Sequence, residues 1–273
     1  MLPIKPKKRF GQHFVVDKNI ASKIVNQLTL HCEYDTVLEI GPGLGILTEY
    51  LLRHPEYKTF VIEIDPEITK YLKERFKTSP KSNIQYPISN IQILEGDFLK
   101  LDLSSVFKEN LAIIGNFPYN ISSQIFFKIL EHRGKVVEVV CMLQKEVAQR
   151  IASKPGNKQY GILSVLLQAF YDVELLFDVN EHVFEPKPKV KSAVIRLRRI
   201  VERIGNPLNL QCDEELFFKV VKQGFQNRRK TLRNALKRLI LPANIHNADI
   251  LNKRAEQLSV NEFIELTNLI KHR

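Results

Sequence analysis

The chain has 273 residues, is 44% hydrophobic and 26% charged, and carries a net charge of +11; this length allows one large core plus a small second domain, and the balance is that of a globular protein. The three cysteines, Cys32, Cys141 and Cys212, are far apart and form no CxxC pair, which argues against a disulfide framework or a zinc site and fits a reducing, cytoplasmic setting. No apolar run approaches the roughly 18 residues of a membrane span, and the basic start MLPIKPKKRFGQHF has no apolar stretch of the kind a secretory signal needs.

In chain order, Ile20, Ile24, Val25 and Leu28 lie at helical spacing between Asp17 and Leu30. A short buried strand, 36–40, runs into the glycine turn GPGLG, 41–45, and a helix to about Arg53. The next strand is 59–64, and Asp65-Pro66-Glu67 then opens a helix, with Asp at the cap and Pro at the first helical position. Residues 78–90 read as a polar loop with two prolines, followed by strands at 91–95 and 111–114. After GNFPYNIS, 115–122, Ser122 or Ser123 is placed to cap a helix. Strand 136–142 leads to a helix from about Gln144, and 173–179 with 192–198 read as an antiparallel closing pair. Strands alternating with helices predict a doubly wound α/β sheet of Rossmann-like type. Beyond about 200 the pattern becomes helical, with helices at 213–225, 228–240 and 259–270, the last opened by the capping box Ser259/Glu262. The expected division is therefore 1–200 for the sheet domain and 201–273 for a small helical domain.

The charge is unevenly placed. Residues 1–186 hold 22 Lys+Arg and 22 Asp+Glu, whereas 187–273 hold 19 and 8 and so carry the whole excess. A charge confined to one third of a chain suits a polyanion. Arg228, Arg229, Lys230, Arg233, Lys237 and Arg238 are spaced for a basic stripe on a helix, and Lys5, Lys7, Lys8 and Arg9 form a second basic arm.

Ligands of open α/β sheets bind beyond the carboxyl ends of the strands. Four segments bring polar groups there: the glycine turn beginning at Gly41, then Glu63, Asp97 and Asn116. The turn is GxGxG, and position 46, where the dinucleotide pattern needs glycine, is Ile46, which argues against an NAD oxidoreductase. Carboxylates at Glu63 and Asp97 suit ribose hydroxyls and an adenine amino group. With no Lys or Arg in the turn to meet a pyrophosphate, S-adenosylmethionine fits better than NAD or ATP. The stretch Asn116-Phe-Pro118-Tyr119 then suits methyl transfer to an exocyclic base amine. The Asn116 side-chain oxygen and the Phe117 carbonyl accept from the amine, Pro118 holds that carbonyl, and the Tyr119 ring stacks on a flipped base.

These pieces, with KKRFGQHF (7–14), VIEID (61–65), VFEPKPKVKSAVIRL (183–197), FQNRRKTLRNAL (225–236) and RAEQLSVNEF (254–263), resemble the KsgA-type rRNA adenine N6,N6-dimethyltransferases over nearly the whole chain. The resemblance implies a class I methyltransferase fold. It also implies S-adenosylmethionine held at His13, Val15, Gly41, Glu63, Asp97 and Asn116, and catalysis at Asn116, Pro118 and Tyr119 with Phe184 as a second aromatic against the base. The implied substrate is a pair of adjacent adenines in the 3′-terminal hairpin of small-subunit rRNA, met on the rRNA or on an immature 30S subunit during ribosome biogenesis. Arg228, Arg229, Lys230 and Arg233 become the RNA-binding residues of a monomeric enzyme. His13, Val15 and Phe117 stand where the family commonly has Asn, Leu and Leu. The other readings weighed are a non-catalytic assembly factor on the same fold and an Erm-like large-subunit methylase, against which the RRKTLRNAL stretch argues.

Overall fold

The computed structural model describes residues 2–77, 90–200, 210–239 and 248–271. The expected loop at 78–90 lies, apart from its last residue, outside the described residues. Two compact units form, one from 1–148 with 174–199 and the other from 149–173 with 200–273. Residues 149–173 group with the C-terminal helical residues, where the helix 162–170 packs against helices 214–226 and 260–271.

The first unit begins with β1 (Phe14–Val15), α1 (Lys18–Val25), β2 (Thr36–Ile40), α2 (Ile46–Leu51), β3 (Lys58–Glu63) and α3 (Pro66–Arg75). It continues with β4 (Ile91–Glu95), α4 (Leu103–Val106), β5 (Leu111–Asn116), α5 (Ser122–Glu131) and β6 (Val136–Gln144). After α6 (Lys145–Ile151) and α7 (Ile162–Phe170) come β7 (Tyr171–Val179), β8 (Phe184–Glu185) and β9 (Ser192–Arg199). The seven-stranded sheet has the order β4-β3-β2-β5-β6-β9-β7. Pairs from β4 to β6 are parallel, and β9 runs antiparallel to β6. The chain order reverses between β2 and β5, so the crevice past their ends is where a ligand of such a sheet sits. The central strands are buried on both faces, with β2 and β6 apolar almost throughout, as parallel strands covered by helices must be. The exception on β6 is Glu138, which is fully buried yet accepts from Thr29 N–H at 3.1 Å, Thr29 Oγ1 at 2.8 Å and the Tyr34 hydroxyl at 2.8 Å.

The helix starts follow local chemistry. Asp65 caps α3, with Pro66 at its first position. The start of α5 differs from expectation: Ile121 occupies the cap, Ser122 is already helical, and its Oγ donates to the Tyr119 carbonyl at 3.3 Å. The Pro118–Ile121 turn, closed by Ile121 N–H to the Pro118 carbonyl at 3.1 Å, places the serine one residue too late to cap.

In the second unit, α7 packs with α8 (Glu214–Gln226) and α10 (Val260–Lys271). Phe217, Val220, Phe263 and Leu266 are buried there. The Ser259/Glu262 box forms as expected, with Ser259 N–H to Glu262 at 2.8 Å and Glu262 N–H to Ser259 Oγ at 3.2 Å. The expected helix 228–240 does not. Only α9 (Leu232–Ala235) is helical, and 240 lies outside the described residues. Arg228 turns inward and donates to the carbonyls of Lys158 and Tyr160, the latter at 2.9 Å, while Thr231 bridges to Arg254. These tertiary contacts override the local helical spacing.

Candidate active site at the carboxyl edge of the sheet

The strand ends β2, β3, β4 and β5 and the arm before β1 together line a cleft that is partly open to solvent. Gly41, Glu63, Asp97, Asn116, Pro118, Tyr119 and His13 all line it. The sequence therefore brings the four strand-end segments to one place, and the arm joins them. Among the described residues, no Lys or Arg lines the cleft. A pocket with two carboxylates and no cation disfavours a pyrophosphate and accommodates a sulfonium.

Gly41 has φ +64°, and a β-carbon there would meet nothing within 4 Å, so its open side faces ligand space. Gly43, at φ +55°, is tight: a β-carbon would fall 2.8 Å from the Phe14 ring. The arm can lie on the turn only because that position is glycine. Glu63 is 5% exposed and accepts from Asp65 N–H at 3.0 Å. Burial raises its pKa, while backbone N–H bonds from Asp65 and Gly43 pull it the other way. Beside it, Ile64 is an exposed apolar residue that lines the cleft. Asp97 uses one oxygen to cap the 3-10 turn at 98–100, accepting from Leu99 N–H at 2.9 Å.

Glu39, part of the EIGPGLG motif but not singled out from sequence, is fully enclosed and hydrogen-bonded by Thr48 Oγ1 at 2.6 Å. Burial pushes its pKa up to about 8, against the pull of that bond.

Asn116 closes β5. Its Nδ2 donates to the His13 carbonyl at 2.9 Å. A carbonyl can only accept, so the amide orientation follows: Oδ1 points the other way, and it is buried with no hydrogen-bond partner. An unmet buried acceptor of this kind carries a desolvation cost of about 1–3 kcal/mol. Tyr119 is held by a 2.7 Å hydrogen bond between its hydroxyl and Ser192 Oγ, and its ring stacks on His13 at 5.7 Å and 24°. Burial raises the Tyr119 pKa, with the Ser192 bond opposing. His13 Nδ1 meets the Pro186 carbonyl at 2.7 Å and is therefore the protonated ring nitrogen. Phe117 is fully buried edge-on to Phe126.

Two expected residues lie elsewhere. Val15 is buried beside the glycine turn in a smaller adjoining cavity. Phe184 is not among the cleft residues; it is 2% exposed in the core with Val15, Val179 and Val194, opposite Val15 in the β1–β8 pair. The two-residue β8 turns this ring inward, into the core. The aromatic that the structure does set against Tyr119 is His13. Of the basic residues, Arg228 is engaged by backbone carbonyls, and Arg233 donates to Asn252 Oδ1 at 3.0 Å. Arg229, Lys230, Lys237 and Arg238 are exposed.

Substituting Glu63 tests the cleft directly. Glu63→Ala is expected to weaken S-adenosylmethionine binding by about 1.5–3 kcal/mol, the value of a charged acceptor. Calorimetry on the folded variant reads it, and unchanged affinity would place the ribose elsewhere.

Comparison with known proteins accords with this geometry. The model of the family described as ribosomal RNA adenine dimethylase matches residues 4–272. A ribosomal RNA small subunit methyltransferase A from Cytophaga hutchinsonii is 55% identical over 270 residues, covering 99% of each chain. One from Flavobacterium johnsoniae is 52% identical over 272 residues, covering 99% of this chain and 98% of its own. Among solved structures, a dimethyladenosine transferase from Plasmodium falciparum aligns at TM-score 0.76 and 28% identity, over 93% of this chain and 96% of its own. The 23S rRNA methyltransferase ErmE aligns at 0.65 and 26%, over 93% and 99%. With a family model spanning almost its full length and relatives more than half identical, the chain belongs to the ribosomal RNA adenine dimethylase family.

Proposed function

We propose that this protein transfers methyl groups from S-adenosylmethionine to N6 of two adjacent adenines in the 3′-terminal hairpin of small-subunit rRNA, giving N6,N6-dimethyladenine, and that it does so as a cytoplasmic monomer on an immature 30S subunit. The observation that carries this reading is the buried, partnerless Oδ1 of Asn116, aimed away from the His13 carbonyl within the cleft. The small-subunit names of the relatives at 55% and 52% identity support the choice of subunit over an Erm-like role. Intact Asn116-Phe117-Pro118-Tyr119 supports a catalytic protein over an assembly factor.

The N6 lone pair of adenine is delocalised into the ring and is a poor nucleophile. In this reading Asn116 Oδ1 and the Phe117 carbonyl accept its two hydrogens, which orients the amine and favours a pyramidal nitrogen. Tyr119, fixed through Ser192, offers its ring for stacking, a contact worth about 1–3 kcal/mol per base. S-adenosylmethionine, when bound, supplies an electrophilic methyl on sulfur. Glu63 would hold its ribose hydroxyls, Asp97 would accept from its adenine amino group, and the open backbone at Gly41 would let it lie close. No strong general base is required, because the amine becomes strongly acidic as it is alkylated; rate comes from alignment and preorganised acceptors.

The basic helical unit is the RNA surface in this reading, through Arg229, Lys230, Lys237 and Arg238, with Arg233 at its edge and Arg228 holding the backbone that displays them. Reversing Arg229, Lys230 and Lys237 to Glu is expected to weaken binding to small subunits. The slope of log K against log salt should flatten by about 0.7–0.9 per lost phosphate contact. Cofactor affinity serves as the folding control; an unchanged slope would move the RNA site to the Lys5–Arg9 arm. The function itself is tested by offering labelled S-adenosylmethionine with undermethylated small and large subunits: label enters the small subunit, and label confined to the large subunit overturns the assignment.

A further inference from the structure

The arm that precedes β1 is tied down at both ends of its passage over the cleft. At the far end, Phe14 and Val15 pair with Glu185 and Phe184. At the near end, Lys7 Nζ meets Asp65 Oδ1 at 2.7 Å and Glu67 Oε2 at 2.9 Å. Gln12 closes the loop. Its Oε1 accepts from Lys7 N–H at 2.7 Å, and its Nε2 donates to Asp65 Oδ2 at 3.2 Å. The Asp65 side chain is fully buried under these partners. Between the two anchors lies His13, whose carbonyl receives the Asn116 amide. On the other side of Asp65, its N–H is bonded to Glu63. Neither Lys7 nor Asp65 lines the cleft.

We propose that the Lys7–Asp65 ion pair is a latch that positions the catalytic amide: by pinning the arm, it keeps the His13 carbonyl on Asn116 Nδ2 and so keeps Oδ1 turned toward the methyl acceptor. The proposal rests on Asn116 being the group that receives the amine. Without the pin, the carbonyl moves with the arm, and the amide loses the contact that fixes its rotation. Asp65 also touches the ribose-side carboxylate through its N–H, so one residue joins the cofactor edge of the site to its acceptor edge. Lys7 and Asp65 are thus positioning residues.

Asp65 also caps α3 through Glu67 N–H at 3.1 Å, so its own substitution would confound latch and helix. Lys7→Met leaves the cap in place. At saturating small subunits and S-adenosylmethionine, Lys7→Met is expected to lower kcat by about 10-fold, as small misplacements of a reacting group do. Lys7→Arg, which keeps the charge, is expected to restore it. A pure phosphate contact at Lys7 would instead raise KM for subunits and flatten its salt dependence with kcat intact, and that result overturns the latch. In an Asn116→Ala background Lys7→Met should add little further loss, because the carbonyl then holds nothing; full additivity overturns the coupling. Lys7→Met at wild-type kcat beside a crippled Asn116→Ala enzyme overturns the latch alone. An active Asn116→Ala enzyme overturns the Asn116 assignment, and the latch with it.

Discussion

Asn116→Ala is expected to lower methyl transfer by about a hundred- to a thousandfold, the usual loss when one preorganised polar partner of the reacting atoms is removed. The substitution deletes both halves of the arrangement: the Nδ2 contact to the His13 carbonyl and the partnerless Oδ1. The loss should fall on kcat far more than on cofactor affinity, because the cofactor keeps Glu63, Asp97 and the glycine turn. Single-turnover kinetics with calorimetry separates the two. A variant with most of its turnover would show that the amine is oriented by other groups. Stability should be nearly unchanged, since relief of the unpaired buried acceptor offsets loss of the Nδ2 bond to the His13 carbonyl.

The second large effect belongs to Phe184. Sequence resemblance assigns it a stacking role, whereas the structure buries it between β8 and the core. Phe184→Ala is therefore expected to destabilise the protein by about 3–5 kcal/mol, the cost of a large-to-small change in a packed interior. Phe184→Leu, which keeps most of the volume, should cost well under half of that. Denaturant unfolding measures both. Wild-type stability in Phe184→Ala, with lost affinity for the RNA, would instead show the ring leaving the core to meet the base.

The legible parts of this protein are those whose cause is local. The caps at Asp65 and Ser259 each follow from a side chain and the backbone N–H groups two or three residues away. The strand ends were legible because an apolar run, a polar residue and a turn fall within a few positions, and the sheet then places Gly41, Glu63, Asp97 and Asn116 together without further information. The course of the arm was not legible. It is set by contacts across 58 positions from Lys7 to Asp65 and across 103 from His13 to Asn116, and strands of two residues leave almost no periodic trace. The spacing of 228–240 misled for a related reason: Arg228 fits a helix face, yet three-dimensional partners at Lys158 and Tyr160 decide its position. Of residues 149–173 only the helix from about Gln144 was legible; α7, and the unit this segment joins, were not.

The basic third of the chain gains a sharper meaning from the same comparison. Formal charge counts Arg228 with its neighbours, but a guanidinium satisfied by carbonyls is a structural strut. Under the proposed function, Arg229, Lys230, Lys237 and Arg238, which are exposed, are the stripe residues open to phosphates, so substitutions at these four should weaken RNA binding without unfolding the unit, while Arg228 substitutions should do both.

The central claim is that the Asn116 acceptor and its neighbours turn an adenine amine into a methyl acceptor. It is tested most directly by incubating the purified protein with S-adenosylmethionine and unmethylated small subunits, digesting the rRNA and identifying the nucleosides. The account predicts N6,N6-dimethyladenosine at two adjacent positions of the 3′-terminal hairpin. A product methylated on a ring nitrogen, on ribose or on a different base would contradict it.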